Sequence, residues 1–510
     1  MLLRENMDVL LAGVPLSTLP RTFQDIIELA ASLDIYHVWI DSLCIIQDSK
    51  EDWEAEAARM ASVYLGAHVT ISATAADDCT TGTLSDSMLR YPVHIEPSWT
   101  GLSDTLEMQI PFRFVDETSF SRHVLLRTIF SRGWVFQERI LSPKVIHCAS
   151  DQMWWFSMSD AKGFAYNETC MGYNFHVGTL PGLIQSVSPS ELYSVTPDLD
   201  VSRAGTVWWN LIEDYATTVF TYDSDRLVAF GGIASAYQRL SGLHEQAYLA
   251  GFWRHTLSED LLWTVRQGRR SCPPQYYRAP TWSWASMEPF HCQSHRFSVS
   301  PVFAGPESAN NRSSGPLATI EDAAVETSSS PFGSAIDGYI VLHCPLIRAE
   351  LSARLMDVPE TYMFRAHATE VHSEFFPGGI LKYQANKLSL HRRGDVNRLE
   401  TMCAETRHPT HLTLDDALPF QCSVGESIVY LAVLEQHWNG NGLEAIGAHA
   451  LVLEKGLQSG EYRRIGYVLL CRDILYPLSL YGTFGAFESL EQDEFLRVGN
   501  NPGYYVFRVV

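Results

Sequence analysis

The sequence contains no run of about 18 apolar residues, no CxxC pair among its ten cysteines, and no Lys/Arg run longer than a pair. The first absence argues against a transmembrane helix, so no membrane insertion is expected. The second argues against a disulfide framework or a zinc knuckle, and predicts reduced, mostly buried thiols in a cytoplasmic chain. The third, with a formal net charge of −22, argues against nucleic-acid phosphates and anionic membrane surfaces as partners. The opening MLLRENMDVLLAG has neither a long apolar stretch nor a clear cleavage site, so no signal peptide is read from it. No internal repeat of fixed period is present.

Common catalytic signatures are missing too: there is no GxSxG elbow, no GxxxxGK[ST] loop and no HExxH helix. His367, Glu370 and His372 gather metal-ligand types, but the two histidines are five apart and fall on opposite faces of a strand. HCQSH at His291–His295 is equally weak, and no metal site is expected.

What remains is a globular composition. Over 510 residues, 46% are hydrophobic and 19% charged, and 13 Trp with 22 Tyr promise a core rich in large aromatics. The length suits several domains.

The first 150 residues or so alternate between helix and strand signals. LPRTFQDIIELAASLDI places Phe23, Ile26, Ile27, Ala30 and Leu33 at helical spacing, with Pro20 tolerated in the first turn. YHVWIDSLCII, rich in β-branched and aromatic residues, reads as a buried strand. Ser49 caps a following helix with Trp53, Ala57, Met60 and Tyr64 on one face. HVTISATA is a second strand, ending in the turn DDCTTG. In SRGWVFQERILSP, Ser131 is the expected N-cap and Pro143 the stop, and Trp134, Glu138 and Leu141 share a helical face.

Such alternation predicts a parallel sheet flanked by helices. Beyond it, VWWNLIEDYATTVF, SDRLVAFGGIASAYQRL and EDLLWTVRQ predict a helical middle region. Residues 304–335, rich in Ser, Gly, Ala and Pro, read as a flexible linker or loop. YIVLHCPL, SIVYLAVLE, HALVLEK, RIGYVLL and YYVFRVV predict a β-rich C-terminal part. The expected divisions are 1–160, 161–303, 304–335 and 336–510.

Four segments, in order and spacing, resemble the fungal heterokaryon incompatibility (HET) domain family. They are LPRTFQDII, VWIDSLCIIQDSKEDWEAEAARMASVYLGAHVTISA, the turn ending at Gly82, and SRGWVFQERILSP. DRLVAFGGIA, YLAGFWRHTLSEDLLW, APTWSWAS and YRRIGYVLL resemble the flanking regions of these proteins. The family usually opens with an LSYxWG strand. Met1 lies nineteen residues before Pro20 and that motif is not found, so the expected sheet lacks its usual first strand.

The resemblance implies non-self recognition and regulated cell death between incompatible fungal cells, with protein partners or self-association. The element order is also similar to TIR domains, some of which hydrolyse NAD+ with a glutamate in a W-x-x-x-E helix. Trp134 and Glu138 have that spacing. By this analogy Glu138 is the catalytic carboxylate, NAD+ a substrate rather than a bound cofactor, and Trp134, Asp41, Ser42 and Arg132 contact the substrate.

Plainer readings stand beside these. Glu138 also reads as an exposed, ion-paired helix residue, Trp134 as a core anchor, Asp41 as a strand-end turn or cap, and Arg132 as a surface ion pair. Cys44 reads as a small buried residue. At the level of the chain, the alternatives are a non-catalytic signalling or interaction module, or a HET-like protein recruited to another pathway such as secondary metabolism.

Overall fold

The computed structural model describes residues 1–83, 120–150, 152–157, 164–167, 172–174, 201–265, 277–287, 299–301, 313–328, 330–359, 380–390, 399–401, 412–414, 426–438, 445–471 and 490–510, some as backbone alone. His291–His295, His367, Glu370 and His372 lie outside the described residues. Two compact units, Met1–Thr196 and Pro197–Val510, make up the chain. Among the described residues no helix is long and apolar enough to cross a membrane.

The first unit runs α1 (Met7–Leu11), α2 (Arg21–Ser32), α3 (Asp41–Cys44), α4 (Lys50–Gly66), β1 (Thr70–Ser72), α5 (Gly133–Leu141), β2 (Lys144–Cys148), β3 (Met153–Ser157), β4 (Phe164–Asn167) and β5 (Gly172–Asn174). The α2 stripe buries Ile26 and Ala30, while Leu33 stays exposed. Ser49 caps α4 as expected, accepting the Asp52 N–H at 3.3 Å, a contact worth about 1 kcal/mol. Helix α5 starts one residue later than expected. Arg132 is its N-cap, and the Ser131 hydroxyl turns back to donate to the Thr128 carbonyl at 2.7 Å.

The five strands form one sheet in sequence order, but it is mixed, not parallel. Only β1 and β2 run parallel, with Ile71 opposite Ile146. The crossover between them contains α5, as a parallel connection requires. The links after β2 are short, and short links return the chain antiparallel. The sheet also continues past residue 160, through β4 and β5.

The expected strand at YHVWIDSLCII is not formed. Residues 35–40 have no regular structure and Asp41–Cys44 is a helical turn. Sequence composition favours a strand there, but a strand needs a bonded neighbour, and among the described residues β1 pairs only with β2.

The second unit begins with α6 (Val201–Ala216) and α7 (Asp225–Ser241), followed by a short α8 (Leu257–Asp260). The helix expected over EDLLWTVRQ reaches only to Asp260, and Trp263–Val265 is a strand. Trp208, wholly buried, packs on Tyr237, Phe230 and Trp253 with ring centroids 4.7, 5.1 and 5.4 Å away. Trp208 and Trp284 both donate their indole N–H to the Gly251 carbonyl, at 3.1 and 3.2 Å. Gly251 has φ +99°, and a Cβ there would meet the Trp284 ring nitrogen at 2.5 Å. Only glycine fits.

The remainder of this unit is β-rich, as expected. Its strands include β6 (Thr319–Thr327), β7 (Ala335–Pro359), β8 (Glu426–Trp438), β9 (Ala445–Lys455), β10 (Glu461–Cys471) and β11 (Tyr504–Val509). Strands β7–β8–β9–β10–β11 close on themselves as a barrel. Strand β7 achieves closure by serving two partners in turn, β11 through Ile340–Pro345 and β8 through Leu346–Ser352. The linker expected at 304–335 is corrected over most of its described part. Ser313–Pro316 and β6 are strands. β6 is held by its antiparallel backbone ladder with β7, and Ala323 is its buried position, so the polar composition that suggested a linker is the composition of a solvent-facing strand.

One buried carboxyl in this unit makes its stability depend on pH. Asp260 accepts the Trp209 indole N–H at 2.7 Å and the Thr256 hydroxyl at 2.6 Å. Burial nevertheless raises its pKa to about 7. A raised folded-state pKa gives stability that is complete below the unfolded value near 4 and is lost as pH rises through about 7. Thermal melts of the chain should therefore show this unit losing on the order of a few kcal/mol between pH 4 and 8, and Asp260→Asn should flatten that slope. An unchanged slope in the variant would contradict the assignment.

Candidate functional site

The first unit holds a cavity of about 530 Å³ between α2, residues 35–41, α4, β1 and α5. That volume is within the usual range for small-molecule sites. Each wall follows from local sequence. In α5, Val135, Phe136, Gln137, Ile140 and Leu141 are buried. Trp134 and Glu138, one turn apart, are half-buried and face the cavity. In α4 the periodic positions Ala57 and Met60 are buried, while Trp53 and Tyr64 are half-buried cavity residues.

Helix α5 is anchored where it meets the sheet. The Ser142 hydroxyl donates to the Glu138 carbonyl at 2.5 Å. Its single proton is then used, so the Thr70 hydroxyl, 2.6 Å away, must donate to it. That pair ties the Glu138 turn to the first residue of β1. Trp134 is edge-on to Trp53 at 6.0 Å, and Trp39 is edge-on to Tyr64 at 5.8 Å. Trp134 is thus both a packing residue and a cavity wall, as its two sequence readings allow.

The polar side of the cavity is acidic and coupled. Burial lifts the Glu138 pKa, and the Asp41 charge lifts it further. A hydrogen bond from Tyr64 and the positive charge of Arg132 oppose the rise, leaving it near 7. Tyr64 in turn titrates far above the ordinary tyrosine range, through burial first and then the charges of Glu138 and Asp41. Glu138 is therefore poised to hold or release a proton near neutral pH.

His147 also lines the cavity but offers no such chemistry. Burial, then the Arg139 charge, press its pKa down to about 3. Its ring is wedged against Phe120 and Phe130.

Of the expected site residues, Glu138, Trp134, Asp41 and Arg132 meet at this one cavity. Asp41 is exposed and accepts the Ser42 N–H at 2.6 Å. Ser42 does not line the cavity; its carbonyl instead accepts the Leu2 N–H at 2.7 Å. Cys44 is exposed, against expectation, because its short helix leaves it outside any buried strand. Tyr64 was read only as core from its helical spacing. Its polar tip at the end of an apolar stripe was the missed signal.

A second polar junction supports the wall. Buried Asp25 accepts the Thr83 N–H at 2.8 Å and pairs with Arg21 at 2.9 Å. It holds the DDCTTG turn on α2, where Gly82 has φ +82° and no room for a Cβ beside the carboxylate. Among the described residues no group of three His, Cys, Asp or Glu side chains is placed to hold a metal ion.

The coupling can be measured directly. In a carbon-13 NMR titration of labelled glutamate carboxyls, Asp41→Asn should lower the Glu138 midpoint from about 7. Tyr64→Phe should raise it. Shifts of the same sign in both variants would show that the two side chains do not act on Glu138 as described.

No curated protein and no solved structure matches the chain. Residues 4–138, which include α1 through Glu138 of α5, match the family model of the heterokaryon incompatibility protein (HET). The match lies within the first unit and ends at the cavity glutamate, so it is this part of the chain that is similar to the HET domain.

Proposed function

We propose that the HET domain is a TIR-like NAD+ glycohydrolase serving non-self recognition and regulated cell death in a fungal cytoplasm, and that it works with protein partners or by self-association. The observation that carries this reading is Glu138, a carboxyl with a pKa near 7 opening on a cavity. When the bond between nicotinamide and ribose breaks, its electron pair leaves with the nicotinamide, which departs neutral. The ribose carbon becomes cationic, and a nearby carboxylate stabilises it. Water then adds to that carbon, and its surplus proton passes to Glu138 and on to solvent. Trp134 would stack on a ring of the substrate. Arg132, exposed at the cavity, would face the pyrophosphate. Asp41 would accept from ribose hydroxyls while keeping the Glu138 pKa high.

The leaving group needs no protonation, so ionised Glu138 is the working form. Nicotinamide release by the purified chain should rise with pH through about 7, and the inflection should move lower in Asp41→Asn. Glu138→Ala and the milder Glu138→Gln should each reduce the rate roughly 100-fold or more. Release that survives both substitutions would remove Glu138 from the chemistry. A second reading, a non-catalytic interaction module, is favoured by the edge of β1 that has no strand partner among the described residues. A folded chain that releases no nicotinamide at any pH would select it.

A further inference from the structure

Resting on the reading of Glu138 as the reacting carboxylate, we propose that Tyr64 is the positioning residue that aims it: the phenol O–H holds one carboxylate oxygen and leaves the other turned to the ribose carbon of a bound substrate. A glutamate side chain is long and rotamer-rich, and a reacting group misplaced by about 1 Å loses on the order of a hundredfold in rate. The two residues come from different helices, Tyr64 from the last turn of α4 and Glu138 from α5, and both line the same cavity. The Tyr64 hydroxyl donates to the Glu138 carboxylate. A carboxylate accepts at either oxygen, so this one bond leaves the second oxygen for the reaction.

Both partners of that contact are held from behind. Trp39 stands edge-on to the Tyr64 ring with 5.8 Å between centroids, and the Tyr64 carbonyl closes the end of α4 by accepting the Ala67 N–H at 3.4 Å. On the other side, wholly buried Ser142 donates its hydroxyl to the Glu138 carbonyl at 2.5 Å. With the Glu138 backbone pinned and the phenol fixed, the carboxylate has a defined direction. Burial and the charges of Glu138 and Asp41 keep the phenol protonated far beyond the usual tyrosine range, so Tyr64 remains a donor wherever Glu138 is ionised. The other charged groups that act on Glu138 are Asp41, which repels the carboxylate, and Arg132, which attracts it. Both are exposed, and neither is braced by a ring as Tyr64 is. Aim and acidity are separable. A donor that only tunes the proton matters near the Glu138 midpoint, whereas one that aims the carboxylate matters at every pH.

Nicotinamide release from NAD+ by the full chain, followed across pH, separates the two. The parent is compared with Tyr64→Phe and with chains in which Tyr64 is replaced by 4-fluorophenylalanine or by 4-aminophenylalanine. The first two fill the ring's place without donating, and the amine donates again. About two pH units above each chain's own inflection Glu138 is ionised in all of them. There, Tyr64→Phe should have a kcat at least about tenfold below the parent with KM within about twofold. The 4-fluoro chain should match it, and the 4-amino chain should return to within about threefold of the parent. Equal plateau rates in the parent and both non-donors, with only the inflection moved, would show that Tyr64 tunes the proton without aiming the carboxylate. That result overturns the positioning role and leaves the reaction standing. An equal loss in the 4-amino chain overturns it too, because the loss then follows the replacement and not the missing donor. No release from the folded parent at any pH removes the reaction itself, and the positioning role with it. Circular dichroism checks the folding of each chain. If Tyr64→Phe does not fold, the 4-fluoro chain, nearer to tyrosine in shape, decides.

Discussion

A strand in a sheet has two hydrogen-bonding edges, and among the described residues β1 pairs along one of them, with β2. That single constraint shapes the first unit. Had residues 36–39 paired with β1, the space between α2 and α4 would be filled by sheet. Instead the chain at 35–40 runs without regular structure, and a cavity lies between the two stretches. The same opening is what lets Glu138 remain half-buried and not sealed. An exposed strand edge is normally blunted by charge, proline or a bulge. β1, Thr-Ile-Ser, is limited instead by its three-residue length, and its Ser72 carbonyl already accepts the Thr74 N–H at 2.8 Å.

Two carboxyls in the chain show why environment, and not pKa alone, separates a site from a scaffold. Glu138 and Asp260 both sit near 7, and burial is the largest cause in each. Asp260 spends both oxygens on Trp209 and Thr256, inside an aromatic core with Trp209 itself buried. A neutral or charged Asp260 has nothing to react with. Glu138 receives Tyr64, is repelled by Asp41, and borders open volume. Its proton can therefore be exchanged with something that enters. Residual access, together with an acidic neighbour that helps hold its pKa near neutrality, sets Glu138 apart from Asp260.

Much of this was legible in the sequence where local rules suffice. Ser49 before an acidic first turn fixed the start of α4, and the five apolar runs near the C-terminus became strands β7 through β11 because each brings β-branched residues at strand length. Trp134 and Glu138 could be grouped because helical spacing and the W-x-x-x-E pattern both place them, whereas Asp41 was reached through an expected strand that does not form. Other features depend on partners distant in sequence, and these were misread. VWI has strand composition but no neighbour to pair with. β6 has linker composition but a neighbour in β7. Sheet direction after β2 depends on connection length, not on the strands themselves. Tyr64 looked like core because its carbon ring follows the stripe; its hydroxyl partner is 74 residues away, on another helix.

The distribution of burial explains why the functional surface falls where it does. In the second unit, Trp208, Trp253, Trp263, Trp282 and Trp284 are sealed from solvent, and β9 is buried without a break from Ala448 to Leu453. Arg464 adds to this, stacking on Trp263 at 3.6 Å while donating to the Leu261 and Trp263 carbonyls at 2.5 and 2.6 Å. Such a core opens only on global unfolding. In the first unit, the 17-residue α4 buries only Ala57, Met60 and Ala61, and no residue of β1 is fully buried. Elements with so little sealed apolar surface are the ones that open at low cost. The cavity is walled by elements of this second kind. Any ligand that binds there therefore stabilises these thinly buried elements by mass action, in proportion to its occupancy.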